Sequence, residues 1–345
     1  MIKVTLTATA IAAAVSLGTS AMAGGHGNLF EGKTLTVQVP SGSGGTYHVY
    51  CQLVQRNLGN YIPGNPKMLI QNMPGAGGAK SAAFMANAAP KTGEVIAMVA
   101  PGVVTTPLVR NVRFDASKFE WLGAPAARAA GIFYWHTSGI TKLQQILDKP
   151  TSIASSGFAS TGSIFPKLVN VTLGAKMKII TGYKGGGAMN LSIEKGETMG
   201  RNNFLSGFLG VRPTWLPEKK IIPIIMYGPK SDSKFVQGVP HLGDLLKPGT
   251  LNYKMFTVLN TNFNVGQAFY VPPGAPKNVV STLEKAFVKM MFDPKFKANV
   301  LKRRVEHAPV KAEEIRKHIK AGFAAATPEV VKAIKEKLYT KKKKS

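Results

Sequence analysis

A strand, a glycine- and serine-rich loop and a helix follow one another three times in this chain, and that succession restricts its fold more than any other feature. The loops are Ser41-Gly42-Ser43-Gly44-Gly45-Thr46, Ser155-Ser156-Gly157-Phe158-Ala159-Ser160-Thr161-Gly162-Ser163 and Tyr183-Lys184-Gly185-Gly186-Gly187. Ahead of the first, Leu35-Thr36-Val37-Gln38-Val39 alternates apolar and polar; behind it, Tyr47, Tyr50, Cys51, Val54, Leu58 and Tyr61 recur at helical spacing. The first N–H groups of a helix have no partner inside it, and the helix dipole favours an anion there. Glycine lets a ligand approach the backbone, and Ser and Thr hydroxyls add donors. Gly/Ser loops also serve as ordinary caps and turns. Three in one chain point to a site for a small anion.

The rest of the sequence keeps the alternation. Residues 68–71 and 95–99 read as strands around a small-residue helix at 81–87. A second series gives strands at 132–135, 152–155, 177–180 and 221–226, with helices at 164–172 and 189–195 and another capped by Thr141. A strand at 269–271 and helices at 276–292, 312–325 and 328–338 complete the chain. The expectation is an α/β protein with mainly parallel strands, built as two lobes around a cleft. Residues 24–124 would form the first lobe, 125–262 the second, and 263–340 would return to the first.

Lys3, an apolar stretch over residues 4–18 and the small-x-small site Ala21-Met22-Ala23 predict a secretory signal over residues 1–23, cleaved near Ala23. No later run approaches the ~18 apolar residues of a membrane span. The mature chain is therefore expected to begin near Gly24 and to work outside the cytoplasm. Cys51 is the single cysteine, so no internal disulfide can form and stability rests on a large core. Its place on an apolar helical stripe predicts a buried thiol.

Lys and Arg number 44 against 17 Asp and Glu, a formal charge of +27 that becomes +26 once Lys3 leaves with the signal. The basic residues are dispersed and form no nucleic-acid-binding signature, so with an exported address the charge reads as a means of attracting small anions. Lys341 to Lys344 are the one compact run, within a basic tail over 341–345: a solvated end, or a contact with an acidic membrane surface.

Chemistry finds little support. Gly42 and Gly44 begin a dinucleotide fingerprint whose third glycine position is Tyr47. P-loop and nucleophile-elbow motifs are missing, the histidines lack zinc-ligand spacing, and no acidic pair suits acid–base work. Cys51 faces the core and does not suit a dyad with His48. No catalytic residue, metal or cofactor is expected.

Several blocks together resemble a known family. Pro40-Ser-Gly-Ser-Gly-Gly-Thr-Tyr-His48, Ile62-Pro-Gly-Asn-Pro66, Gln71-Asn-Met-Pro-Gly-Ala-Gly-Gly78, Ala88-Ala-Pro-Lys-Thr-Gly93 and Val271-Pro-Pro-Gly-Ala-Pro276 stand in the order found in the substrate-binding component of tripartite tricarboxylate transporters, the Bug-type proteins. The resemblance implies a type II periplasmic-binding-protein fold whose two lobes close on a carboxylate. The solute would be passed to a membrane permease with one large and one small subunit. By matching position it implies a site at Ser41, Gly42, Ser43, Gly44, Gly45, Thr46 and His48 in the first lobe. In the second it implies Ser156, Phe158, Ser160, Thr161, Gly162, Ser163, Tyr183 and Lys184. A monomer is expected. A di- or tricarboxylate and an aromatic carboxylate both remain open as ligand, as does a sensing role in which the loaded protein docks on a signalling receptor. The chain departs from the family at His48 and at Glu197-Thr-Met-Gly200, where acidic residues are common. That fits either a more anionic ligand or drift in a very basic protein.

Overall fold

The structure, a computed structural model, describes residues 28–340. The expected signal segment, its cleavage site and the lysine tail lie outside the described residues. The first series runs β1 (Thr34–Val39), α1 (Thr46–Asn57), β2 (Lys67–Asn72), α2 (Ala79–Asn87), β3 (Val95–Met98), α3 (Gly102–Val109) and β4 (Glu120–Ala124). The second runs β5 (Ala130–Trp135), α4 (Leu143–Asp148), β6 (Thr151–Ser155), α5 (Thr161–Leu173), β7 (Met177–Thr181), α6 (Gly186–Glu194), β8 (Gly200–Phe204), α7 (Leu205–Val211) and β9 (Ile221–Tyr227). There follow α8 (Leu242–Leu245), α9 (Leu251–Asn264), β10 (Phe269–Val271), α10 (Lys277–Phe292), α11 (Pro294–Lys302), β11 (Val310–Lys311), α12 (Ala312–Ala324) and α13 (Pro328–Ile334).

The strands form two sheets, ordered β11-β4-β10-β3-β1-β2 and β7-β6-β8-β5-β9. The expectation of mainly parallel strands needs correcting. Parallel pairing holds for β1 with β2 and β3, and for β6 with β7 and β8. The remaining pairs are antiparallel: β10 with β3 and β4, β11 with β4, and β5 with β8 and β9. Apolar alternation locates a strand and carries no information on its direction.

Each sheet is covered on both faces. Cys51 and Val54 of α1 and Leu283 and Phe287 of α10 pack on one face of the first sheet. Met85 of α2, Val103 of α3 and Ile315 of α12 pack on the other, around Trp121 and Tyr270. In the second sheet Phe165 and Leu168 of α5 and Phe263 of α9 meet Tyr227 and Ile132. Phe208 of α7 and Trp215 cover its opposite face against Phe133. Residues 328–339, which sequence order alone places with the first lobe, pack on the second sheet. Val330, Ile334 and Leu338 join its apolar cluster, and Lys167 Nζ donates to the Leu338 carbonyl at 2.9 Å.

The chain passes from one sheet to the other at residues 125–129 and 265–268, and again between α12 and α13; the first two crossings are tied together. Gln267 N donates to Ala126 O at 2.8 Å, and Arg128 donates through Nε to Gln267 Oε1 at 3.1 Å and through Nη2 to Val99 O at 2.8 Å. Thr141 does not cap α4. Gln145 Oε1 reaches back instead to accept from Thr141 N at 2.7 Å and Lys142 N at 2.9 Å. Among the described residues no helix is long and apolar enough to cross a membrane.

Candidate functional site

Parallel strands deliver the loops at their carboxyl ends to one edge, and in this fold those edges of both sheets face each other. Between them lies a cavity of ≈ 560 Å³. The loops after β1, β2 and β3 form its wall on one side; those after β6 and β7, together with β8, form the other.

Among the helices that start at this cavity are α1, α5 and α6. Their N-cap residues are Gly45, Ser160 and Gly185; none supplies a side-chain cap, and none of the first turns holds an acidic residue. Away from the cavity some helices are capped and some are not: Thr250, Asp293 and Thr327 each accept from a backbone N–H of the helix they precede, whereas α10 and α12 have no side-chain cap. Ser160 could cap α5, but its hydroxyl donates to Gly157 O at 2.8 Å and lies 2.9 Å from Ser155 Oγ. The first N–H groups at the three starts thus have no side-chain acceptor from their N-caps, and the dipoles add positive potential there.

Glycines let the two walls approach. A Cβ on Gly42 would lie 3.2 Å from Lys184 O, one on Gly186 3.5 Å from Gly45 Cα, and one on Gly77 3.2 Å from Ser160 Cβ. Gly77 also holds φ +67, in the left-handed region that glycine tolerates best. The walls therefore meet backbone to backbone at these points.

Arg201 on β8 lines the cavity and is 4% exposed. Its guanidinium donates to neutral acceptors: Nε to Asn202 O at 3.2 Å, Nη1 to Gly186 O at 2.8 Å and Asn190 Oδ1 at 2.7 Å, and Nη2 to Asn203 Oδ1 at 3.3 Å. A second buried guanidinium, Arg128, lies 5.5 Å from the ring centre of Phe204 and 5.9 Å from that of Tyr47, both cavity residues. Among the described residues its Nη1 has no hydrogen-bond partner. Ion pairs among the described residues are peripheral, and neither arginine takes part in one. Burial draws Arg128 down to about 10 and Arg201 to about 9, which still leaves both charged at neutral pH. The cavity is therefore cationic, without an internal counter-ion.

Of the residues expected from sequence, Ser41, Gly42, Gly45, Thr46, Ser156, Ser160, Thr161, Gly162, Tyr183 and Lys184 line the cavity. The others do not. Ser43 and Gly44 are exposed at the loop tip, where Gly44 takes φ +78. His48, one turn into α1, is 3.3 Å from Asn72 Nδ2 through Nδ1, and burial followed by the nearby Arg303 lowers its pKa. Phe158 lies under Lys167, whose Nζ is 3.5 Å from the ring centre. Ser163 is fully buried, donates to Gly157 O at 2.7 Å and lies 2.8 Å from Ser155 Oγ, so it braces the loop from behind. Cys51 is buried 3.7 Å from Met98 Sδ, and burial pushes its thiol well up.

Sequence reasoning missed the 74–78 wall and the polar floor Asn190, Arg201, Asn202 and Asn203. Gly75 and Gly78 hold positive φ there, a signal available in the clustered glycines. The floor lies mainly on β8, whose Gly-Arg-Asn-Asn-Phe shows no apolar alternation. Its cue was an arginine and two asparagines inside an α/β series with no acidic neighbour.

No family model matches the chain. A curated relative, the UPF0065 protein in gbd 5'region of Cupriavidus necator, is 24% identical over 338 residues, 95% of this chain and 94% of that protein. The periplasmic binding protein BugD superposes with a TM-score of 0.69 at 17% identity, over 88% of this chain and 97% of its own. A protein of R. palustris solved with adipate gives 0.67 at 18% identity, over 88% and 97%. MatC from Rhodopseudomonas palustris, with bound malate, gives 0.66 at 18%, over 89% and 99%. The fold is that of the Bug- and TctC-type periplasmic solute-binding proteins, as the sequence motifs imply.

Proposed function

We propose that this protein captures a small carboxylate in the periplasm, holds it between its two lobes without bond chemistry, and releases it to a membrane permease. The observation that carries this reading is the convergence of uncapped helix starts from both walls, α1 from one and α5 and α6 from the other, on a single cavity. Donors from both walls on one anion would make closure depend on ligand. The adipate and malate bound by the two R. palustris proteins supply the chemical class. Ser41, Thr46, Ser156, Ser160 and Thr161 stand beside the open N–H groups, with Tyr183 and Lys184 at the third start. The volume suits a solute of modest size.

A thermal-shift screen across mono-, di- and tricarboxylates and aromatic carboxylates tests the reading. A true ligand at 100 times its dissociation constant adds about 2.7 kcal/mol of stability. No shift with any carboxylate would overturn it. The permease partner is tested separately, by crosslinking of the loaded protein to membranes that contain the transporter.

A further inference from the structure

We infer that Arg201 is a specificity-determining residue that makes the site select solutes carrying two anionic groups. The inference rests on the carboxylate-binding reading above and goes beyond it by assigning the second charge to a named side chain.

The cavity has two poles. One gathers Gly45, Thr46, Gly186, Asn190, Arg201 and Asn203. A Cβ on Gly186 would lie 3.6 Å from Arg201 Nη1 and 3.5 Å from Gly45 Cα, and one on Gly207 would lie 2.5 Å from Thr46 Oγ1 and 2.7 Å from Asn203 Oδ1. The other pole gathers Gly77, Gly102, Ser160 and Thr161. A Cβ on Gly77 would touch Ser160, and one on Gly102 would lie 3.7 Å from Thr161 N. The second pole has the starts of α3 and α5 and hydroxyls. The first has helix starts and, in addition, a full positive charge.

That charge is buried in the protein as it stands. The four acceptors around Arg201 are amide oxygens, two from side chains and two from the backbone. They take four of its five N–H donors without neutralising the charge, and one N–H on Nη2 stays open. A buried cation with no counter-ion carries a desolvation cost that an anionic ligand removes. A carboxylate at the α5 pole alone leaves that cost in place; a second carboxylate at the Arg201 pole relieves it. A neutral or single-charge solute of the same shape therefore gains less from closure.

The test is calorimetric binding to the folded mature protein, with adipate and malate each compared with its monoamide, which keeps the shape and loses one charge. The expected result is that at least one diacid binds tenfold or more tighter than its monoamide. That ratio should fall to within about threefold in Arg201→Gln. Asn190→Asp is the second variant, since it places a carboxylate where Asn190 Oδ1 now sits, 2.7 Å from Nη1, and supplies the missing counter-ion internally. It should abolish the diacid preference while leaving thermal stability equal or higher, so the test survives an Arg201→Gln protein that fails to fold. Monoamides binding as tightly as diacids to the unaltered protein, or a ratio unmoved in the variants, would sink the Arg201 assignment and leave carboxylate binding standing. If neither diacids nor simple monocarboxylates such as hexanoate bind at all, the carboxylate reading falls with it.

Discussion

Thr161 and Glu306 show two different ways in which a single side chain can be tested here. Thr161 opens α5 at the cavity wall. Replacing it with valine exchanges a hydroxyl for a methyl of similar volume, and the expected outcome is carboxylate binding weaker by about 1–3 kcal/mol with an unchanged unfolding midpoint. Unchanged affinity would remove Thr161 from the site. Glu306 lies away from the cavity, in the segment between α11 and β11. Its carbonyl accepts from the Tyr50 hydroxyl at 2.8 Å, and its buried Oε2 has no hydrogen-bond partner. Burial pushes its carboxyl up from 4.5 to about 7, with the Ser231 hydroxyl pulling weakly the other way. A raised carboxyl pKa means the native state holds the proton longer than the unfolded chain. The contribution is therefore harmless below pH 4.5, grows as pH rises toward 7 and is constant above. Glu306→Gln should stabilise the protein by roughly 1–3 kcal/mol at pH 8 and by almost nothing near pH 4.5, read from denaturant unfolding across that range. A gain independent of pH would mean that ionisation is not the cause. Only the first of these environments was legible in sequence. A threonine in a Gly/Ser loop could be placed near a ligand, but nothing near Glu306 in the chain announces its burial, because the residues that cover it come from distant segments.

Among elements, the periodic ones could be read and the polar ones could not. The stripe Tyr47, Tyr50, Cys51, Val54 and Leu58 describes α1 because that helix lays one face on a sheet. Strand β8 lies in the middle of the second sheet, and every residue of it is buried, yet three of its five side chains are Arg or Asn. It escapes an alternation rule because the cavity, not an apolar layer, receives them. Helix α9 escaped for another reason: it is covered from several sides, and its buried residues include Thr261 and Asn262, whose polar groups are satisfied by neighbours. The packing of α12 on α9 makes a prediction at this scale. Gly322 lies in α12, where alanine would ordinarily raise helix stability by about 1 kcal/mol. A Cβ there would overlap Thr261 Oγ1 and lie 2.7 Å from its Cγ2, on a buried β-branched side chain with little room to move. Gly322→Ala should therefore destabilise, by about 1–3 kcal/mol, seen as a lower denaturant midpoint. A stabilised variant would show that the two helices can separate at small cost.

For the whole molecule, net charge is the property that can be tested. A formal charge of +27 raises the concentration of anions near the surface, and the proposed site adds two buried cations at the cavity. Association of a diacid should consequently slow about tenfold between low and 0.3 M salt, measured by stopped flow, as surface charges become screened. A rate indifferent to salt would confine the electrostatics to the cavity. The sequence by itself determined the alternation of strands and helices, the lone buried thiol, the excess of positive charge and the three glycine loops, because each is a property of neighbouring residues or of a sum over all of them. Only the tertiary structure decided that the loops share one cavity, that Ser43, His48, Phe158 and Ser163 stand outside it, that α13 seats on the second sheet, and that Arg201 is buried there without a counter-ion. Those facts depend on contacts between segments far apart in the chain, and a buried cation differs from a solvated one only through what has been folded around it.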